Sequence, residues 1–154
     1  MDATVLSPSI VGQAEKAHGA VLRKVLAGTG LDEQQWIAVQ FADGAGAGIS
    51  RDDLIGRVSA AAKFDPRAVD RAVIALIGAS LLEQRPGADA QLAVTPEGRE
   101  LVSALRERIG ELIAGAYGSV PQADLATAAR VLVTITARLS AELASRDAGG
   151  RHGR

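Results

Sequence analysis

The chain has 154 residues, of which 47% are hydrophobic and only 3% aromatic, and its formal net charge is −1. This length is sufficient for one domain with a real core, and the scarcity of aromatic residues predicts a core of Leu, Ile, Val and Ala packed between helices. The near-neutral charge excludes a protein that coats nucleic acid through its overall charge. Any DNA contact must therefore come from a local arrangement or from two copies acting together.

Composition also excludes several kinds of site. The chain has no cysteine, which excludes disulfides, thiolate zinc sites and cysteine-based redox sensing, and its two histidines, His18 and His152, cannot build a multi-imidazole metal site. No serine lies in a G-x-S-x-G context, and residues 44–48 lack the lysine of a phosphate loop, so an enzyme is not expected. No apolar run approaches the roughly 20 residues of a membrane span, and no signal peptide is visible. We expect a cytoplasmic protein without a cofactor or a membrane partner.

Hydrophobic periodicity predicts six helices. Apolar residues recur every three or four positions over residues 10–25, and Gly28 and Gly30 end this first helix. Each of the next four helices begins at an N-cap residue that is followed by a capping-box partner or by a proline at the first helical position. These pairs are Asp32 with Gln35, Ser50 with Asp53, Asp65 with Pro66, and Thr95 with Pro96.

The stretch from Leu81 to Val102 carries the most informative pattern. Its first part, LLEQRPGADAQLAV, is typical of a strand, a tight Pro-Gly-Ala-Asp turn and a second strand, and a helix start follows at once. The helical pattern of residues 65–79 comes directly before it, and the apolar Ile49 could add a one-strand contact to the hairpin. A helix followed by a small hairpin is the outline of a winged helix. The predicted fold class is therefore mainly α with a small β-hairpin wing (α+β).

Short matches spread over residues 10–145 carry a family resemblance. They are Leu31-Asp32 with Gln35-Trp36, Ser50 with Asp53-Leu54, Val69-x-Arg71 leading to Leu76, Leu81-Leu82 with Arg85, and Leu92-x-Val94-Thr95-x-x-Gly98-Arg99. In order and spacing these residues resemble the MarR family of bacterial regulators. The resemblance implies a homodimer whose first, fifth and sixth helices interlock and whose two winged modules read a pseudo-palindromic operator. It also implies a small, often phenolic, effector that binds between the dimer part and the winged module and lowers DNA affinity.

This resemblance divides the chain into regions. Residues 10–30 and 96–145 are predicted to form a helical dimerisation region, residues 31–95 a winged helix-turn-helix module, and residues 1–9 and 146–154 flexible termini. A homodimer is also expected from the apolar faces of the first, fifth and sixth helices, which one small monomer could not bury completely. The sixth helix contains a coiled-coil-like seam of leucines that repeat every seven residues, Leu125, Leu132 and Leu139.

Two arginines are the main candidates for base contacts. Arg67 and Arg71 lie four residues apart near the start of the fourth helix, which the resemblance makes the recognition helix. Helix-turn-helix proteins reach base edges from that end, and arginine can bond guanine through two hydrogen bonds. The alternative is a solvated face on which Arg67 or Arg71 pairs with Asp65 or Asp70.

Other basic residues of the module are candidates for phosphate contacts. Arg51, Arg57 and Lys63 could touch phosphates or be ordinary surface charges, and Arg85, at the base of the wing, could bond phosphate or pair with Glu83. Arg99 is expected to tie the wing to the fifth helix.

Three features depart from the family pattern. The wing has no basic residue between Pro86 and Leu92, and residues 72–78 of the recognition helix are apolar all round, which predicts burial on every side. Residues 51–99 contain equal numbers of basic residues (51, 57, 63, 67, 71, 85 and 99) and acidic residues (52, 53, 65, 70, 83, 89 and 97). Phosphate neutralisation dominates DNA affinity, so this balance predicts weaker binding than in a fully equipped family member.

An effector pocket is predicted from the resemblance, which places the first two helices at its wall. His18, Trp36 and Gln40 could meet there and form an apolar wall with two polar groups. The alternative is a core tryptophan and a dimer-interface histidine. Taken together, the sequence predicts a DNA-binding transcriptional regulator that represses until a small aromatic effector releases it. The alternative is a winged helix that has lost DNA reading and serves as a protein-interaction or ligand-binding module.

Overall fold

A computed structural model describes residues 5–86 and 90–149 of the chain. The described residues form six helices and three short strands in the predicted order, which confirms a mainly α protein with a small β-hairpin. The elements are α1 (Pro8–Leu26), α2 (Glu33–Gly44), β1 (Ile49–Ser50), α3 (Arg51–Ala62), α4 (Pro66–Gly78), β2 (Leu82–Arg85), β3 (Gln91–Val94), α5 (Pro96–Gly118) and α6 (Gln122–Gly149).

The chain divides into two compact units, and the boundary between Leu112 and Ile113 lies inside α5. The first unit contains α1 to α4, the strands and most of α5, and it holds the hydrophobic core. Its largest fully buried side chains are aliphatic, as the composition predicts, and come from α3, α4, the hairpin and α5: Leu54, Leu76, Leu82, Leu92 and Leu105. The second unit consists of the end of α5 and α6.

The helix starts form as their N-cap residues predict. In the capping box of α2, an oxygen of Asp32 accepts from the backbone N–H of Gln35 at 2.8 Å, and the Gln35 side chain accepts from the backbone N–H of Asp32 at 2.9 Å. At α4, an oxygen of Asp65 accepts from the backbone N–H of Arg67 at 2.8 Å, and proline occupies the first turn. These bonds satisfy N–H groups that the helix leaves without partners, so α4 has a defined start.

The sheet joins the hairpin to the short strand before α3. Strands β2 and β3 pair antiparallel with Leu82 opposite Val94, and β1 pairs with the other edge of β3, where Ile49 lies opposite Leu92. The predicted one-strand contact of Ile49 is thereby confirmed. The tip of the predicted turn, Gly87 to Asp89, lies outside the described residues.

The two terminal helices are longer than predicted. Helix α1 begins at Pro8 rather than Ile10, because Ser7 is its N-cap and accepts from the backbone N–H of Ile10 at 3.4 Å. Helix α6 continues to Gly149, four residues beyond its predicted end, and an ion pair of Arg146 with Glu142 at 3.1 Å lies across its last turns. Of the remainder of the predicted flexible termini, residues 5–7 precede α1 without regular structure, and residues 1–4 and 150–154 lie outside the described residues.

Candidate nucleic-acid interface

Helices α3 and α4 form the helix-turn-helix, and a tight turn over residues 63–65 connects them. Lys63 ends α3 in the left-handed conformation with φ 58° and ψ 32°, which reverses the chain before Asp65 starts α4. The inward side of α4 consists of fully buried apolar residues, Val69, Val73 and Leu76. This packing fixes which side of α4 faces outward.

The outward face of α4 combines basic and apolar residues. Arg67, Arg71, Ile74 and Gly78 follow one another at steps of four, three and four residues, so they share one side of the helix, and all four are exposed. The prediction that the apolar second half is buried on every side is wrong: Ile74 is 52% exposed and Ala75 is exposed. The reason is that only the inward stripe of this segment meets the core.

Arg67 and Arg71 are available for a partner. Within the described part of the chain neither guanidinium forms an ion pair. The two carboxylates that could have held them are engaged elsewhere, because Asp65 caps α4 and Asp70 binds Arg51. The alternative in which Arg67 or Arg71 pairs with Asp65 or Asp70 is therefore not what the structure contains.

Arg51 connects the two helices of the motif. Its Nε and Nη2 both contact Oδ1 of Asp70, at 2.7 Å and 2.6 Å, and the two side chains are 40% and 38% exposed. Arg51 is the first residue of α3, and Asp70 lies in α4. A phosphate contact by Arg51 would have to compete with this carboxylate, whereas Lys63 is exposed at the turn.

The wing is held by two other arginines. Arg85, at the end of β2, donates from Nη1 to the backbone oxygen of Ala47 at 3.0 Å, which ties the hairpin to the loop before β1. Of the two alternatives left open for Arg85, the pairing with Glu83 is not the contact that this side chain makes. Arg99 donates from Nη1 to the backbone oxygen of Val94 at 2.7 Å, so it ties β3 to α5 as predicted.

Gly98 occupies a tight junction between α4, the hairpin and α5 that sequence reasoning did not identify. A Cβ atom on Gly98 would overlap the backbone oxygen of Leu81 and lie 2.8 Å from Cγ1 of Val94. In the same junction Thr95 donates from Oγ1 to the backbone oxygen of Ser80 at 2.7 Å and accepts from the N–H of Gly98 at 3.0 Å. The signal available in the sequence was a glycine in the first turn of a helix, where it lowers helix propensity.

The three predicted effector residues lie in different settings. Trp36 is 3% exposed and packs within the core. Gln40 lines an open hollow of about 410 Å³ together with Phe41, Gly44, Ala45, Arg57 and Arg106. His18 is exposed on α1, and its Nδ1 lies 2.7 Å from the backbone oxygen of Ala14. At the hollow, Arg106 contacts Oδ2 of Asp43 at 2.7 Å, which links α5 to α2.

The second unit presents a wide apolar surface. Large side chains on α6 are exposed from Val131 to Leu143, and Leu139 of the predicted leucine seam is 61% exposed. The exposed residues are Val131, Leu132, Val133, Ile135, Leu139 and Leu143. Exposed apolar residues that cluster on one element are typical of interaction surfaces.

Residues 5–86 and 90–149 contain neither a cluster of metal ligands nor a membrane-spanning helix. No group of three or more His, Asp or Glu side chains lies close enough together to hold a metal ion there. No helix in that part of the chain is both long and apolar enough to cross a membrane.

This chain matches several solved structures. No family model and no curated protein matches it. A MarR-family transcriptional regulator from Rhodococcus sp. RHA1 matches with a TM-score of 0.69 at 20% identity, over 86% of this chain and 97% of that one. The regulator CouR from Rhodococcus jostii RHA1, bound to p-coumaroyl-CoA, matches with a TM-score of 0.71 at 19% identity, over 86% and 95%. BpsR from Bordetella bronchiseptica, whose DNA binding is regulated by 6-hydroxynicotinic acid, matches with a TM-score of 0.67 at 18% identity, over 85% and 93%.

The helix-turn-helix, the hairpin and the flanking long helices define a winged helix-turn-helix protein. The matched structures cover most of this chain and nearly all of their own, so the fold is that of the MarR-type transcriptional regulators.

Proposed function

We propose that this protein is a sequence-specific DNA-binding transcriptional regulator that places α4 in the major groove. The observation that carries the proposal is the outward face of α4, where Arg67 and Arg71 are exposed and form no ion pair with any described residue, while the opposite face is anchored in the core. A bidentate arginine–guanine contact is the commonest specific pairing in protein–DNA complexes and discriminates against a wrong base by about 1–3 kcal/mol.

The other basic residues have supporting roles in this proposal. Lys63, exposed at the turn before α4, contacts phosphate. Arg51 and Arg85 act mainly by position, since one holds α3 to α4 through Asp70 and the other holds the hairpin to Ala47. A small number of phosphate contacts fits the balanced charge of residues 51–99 and predicts a shallow salt dependence.

The active form is a homodimer built through α6. The leucine seam and its flanking valines offer an apolar surface that a second copy of the same helix would cover. Two copies supply two recognition helices, which read half-sites about one helical turn apart, roughly 34–36 Å. Doubling the contacts also compensates for the modest number of phosphate contacts in each copy.

Repression released by a small aromatic effector completes the proposal. CouR and BpsR, two proteins of the same fold, bind p-coumaroyl-CoA and respond to 6-hydroxynicotinic acid, respectively. In this chain Gln40 and Phe41 offer an amide and an aromatic ring at an open hollow beside Arg57 and Arg106, which suits an aromatic anion. Such an effector releases DNA only if it binds the DNA-free arrangement more tightly.

Selection from a random DNA pool tests the proposal. The wild-type protein should enrich a two-fold related motif, and the Arg67→Ala, Arg71→Ala double variant should not. Arg23→Ala on α1 is the matched control, because Arg23 is exposed outside the helix-turn-helix.

The second candidate is a winged helix that serves as a protein-interaction module. Exposed Ile74 favours it, since an apolar side chain on the outward face of α4 suits a protein surface. If the wild-type protein enriches no sequence from the random DNA pool, the result favours this candidate over DNA reading.

A further inference from the structure

Ile74 is a large side chain on the outward face of α4. DNA binding through Arg67 and Arg71 gives this residue no role. It follows Arg71 by three residues and Arg67 by seven, on the same side of the helix, and it is 52% exposed. Beyond it that side offers only small residues, Ala75 and Gly78, both exposed. The second half of α4 therefore offers no polar side chain to the DNA that the helix is proposed to bind.

This position restricts the base that can lie opposite. A base edge that presents only donors and acceptors would lose its water to Ile74 without gaining a partner, which is unfavourable. Thymine presents a C5-methyl group in the major groove, and apolar side chains contact that group. We propose that Ile74 is a specificity-determining residue that reads thymine through its C5-methyl group, an inference that rests on the DNA-binding function proposed above.

The spacing along α4 locates this thymine. An α-helix rises 1.5 Å per residue, so Ile74 lies about 4.5 Å along the axis from Arg71, and base pairs stack about 3.4 Å apart. The thymine should therefore lie within about one or two base steps of the guanine that Arg71 contacts. The half-site would combine guanine, read by arginine, with thymine, read by isoleucine.

A single exposed isoleucine is by itself ordinary. Ile74 differs because it continues the line of Arg67 and Arg71, which form no ion pair within residues 5–86 and 90–149, along the outward face of α4. Isoleucine also has a lower helix propensity than alanine, so helix propensity does not explain an isoleucine at this position of α4.

The test removes one methyl group from the DNA and one side chain from the protein. Thymines of the selected site are replaced one at a time by deoxyuridine, and dissociation constants are measured for wild type and for Ile74→Ala. Wild type should lose about fourfold in affinity at one position of each half-site, as expected for removing one buried apolar carbon. The Ile74→Ala variant should bind thymine and deoxyuridine equally at that position.

Controls separate this inference from the proposed function. Ile74→Val, which keeps a branched apolar side chain, should retain part of the deoxyuridine effect, and circular dichroism should show that Ile74→Ala folds normally. The inference is overturned if no single deoxyuridine weakens wild type, or if Ile74→Ala keeps the full wild-type response. In that case loss of site-specific binding in the Arg67→Ala, Arg71→Ala variant would still support the proposed function, whereas unchanged binding would contradict both.

Discussion

The guanidinium of Arg51 donates from Nε to one oxygen of Asp70 at 2.7 Å, and its Nη2 lies 2.6 Å from the same oxygen as an ion pair. The pair joins the first turn of α3 to α4, the proposed recognition helix, so it restrains the polar edge of the helix-turn-helix while Val69 and Val73 anchor the apolar edge. Both side chains remain partly exposed, and such pairs contribute only about 0–1 kcal/mol to stability. Its main consequence is electrostatic, because Asp70 masks a positive charge close to the proposed DNA-binding face.

Replacing Asp70 with asparagine should strengthen DNA binding and make it less selective. The change removes a negative charge from α4 and frees Arg51 for phosphate, so the salt slope of log K should steepen by about one for each subunit that gains a contact. Adding Arg51→Gln to Asp70→Asn should reverse the change. A lower salt slope in Arg51→Gln alone would show instead that Arg51 already contacts phosphate beside Asp70.

Replacing Gly98 with alanine should destabilise the protein by about 1–3 kcal/mol, the usual cost of inserting a methyl group where no space exists. The new Cβ would overlap the backbone oxygen of Leu81 and press on Val94. Urea unfolding provides the measurement. Gly56→Ala is the control, since nothing lies within 4 Å of its added Cβ and alanine favours a helix interior by about 0.5–1 kcal/mol. Equal effects of the two substitutions would contradict a tight junction at Gly98.

An aspartate in place of Leu139 should separate the dimer into folded monomers. Leu139 is 61% exposed in the single chain, so a carboxylate there costs little in the monomer but is unfavourable in a dimer interface. Light scattering at micromolar concentration measures the mass. The same substitution at Ala141, which is exposed on the side of α6 opposite Leu132, should leave the dimer intact. Leu132→Asp should give the same result at the neighbouring seam position. A wild-type protein that is monomeric and folded under these conditions would contradict the proposed dimer.

An aromatic carboxylate that binds at the Gln40 hollow should be detected by Trp36. The chain has a single tryptophan, which belongs to α2 and is buried in the core, so its fluorescence reports a change in the core rather than a direct contact. Titration of phenolic and salicylate-like compounds should change this signal and release operator DNA over one concentration range. Gln40→Ala should weaken the response, whereas Gln13→Ala on exposed α1 should not. If no compound in a broad aromatic panel acts, this protein has no such effector.

Sequence reasoning identified the elements because the rules that start and end them are local. The capping bonds of Asp32 and Asp65 form within three residues of the side chain that predicts them. The hairpin follows from turn residues between two apolar runs, and the pairing of Ile49 with Leu92 follows from the need to cover an apolar strand.

The contacts that define the candidate interface are not local, and the sequence alone did not reveal them. Arg51 and Asp70 are nineteen residues apart, and Arg85 and Ala47 are thirty-eight apart. The exposure of Ile74 was missed for a different reason: a segment that is apolar throughout carries no periodic signal for which side is buried. Only the packing of Val73 and Leu76 against the core decides the orientation of that segment.

The most direct test of DNA reading by α4 is the affinity of wild type and of the Arg67→Ala, Arg71→Ala variant for two duplexes, measured by fluorescence anisotropy at several salt concentrations. One duplex is the selected operator and the other is a scrambled sequence of the same composition. Wild type should prefer the operator by about a thousandfold or more, and each arginine should account for about 1–3 kcal/mol of that preference. The variant should lose most of the preference while the Arg23→Ala control keeps it. Equal binding of both duplexes by wild type, or an undiminished preference in the variant, would contradict the account.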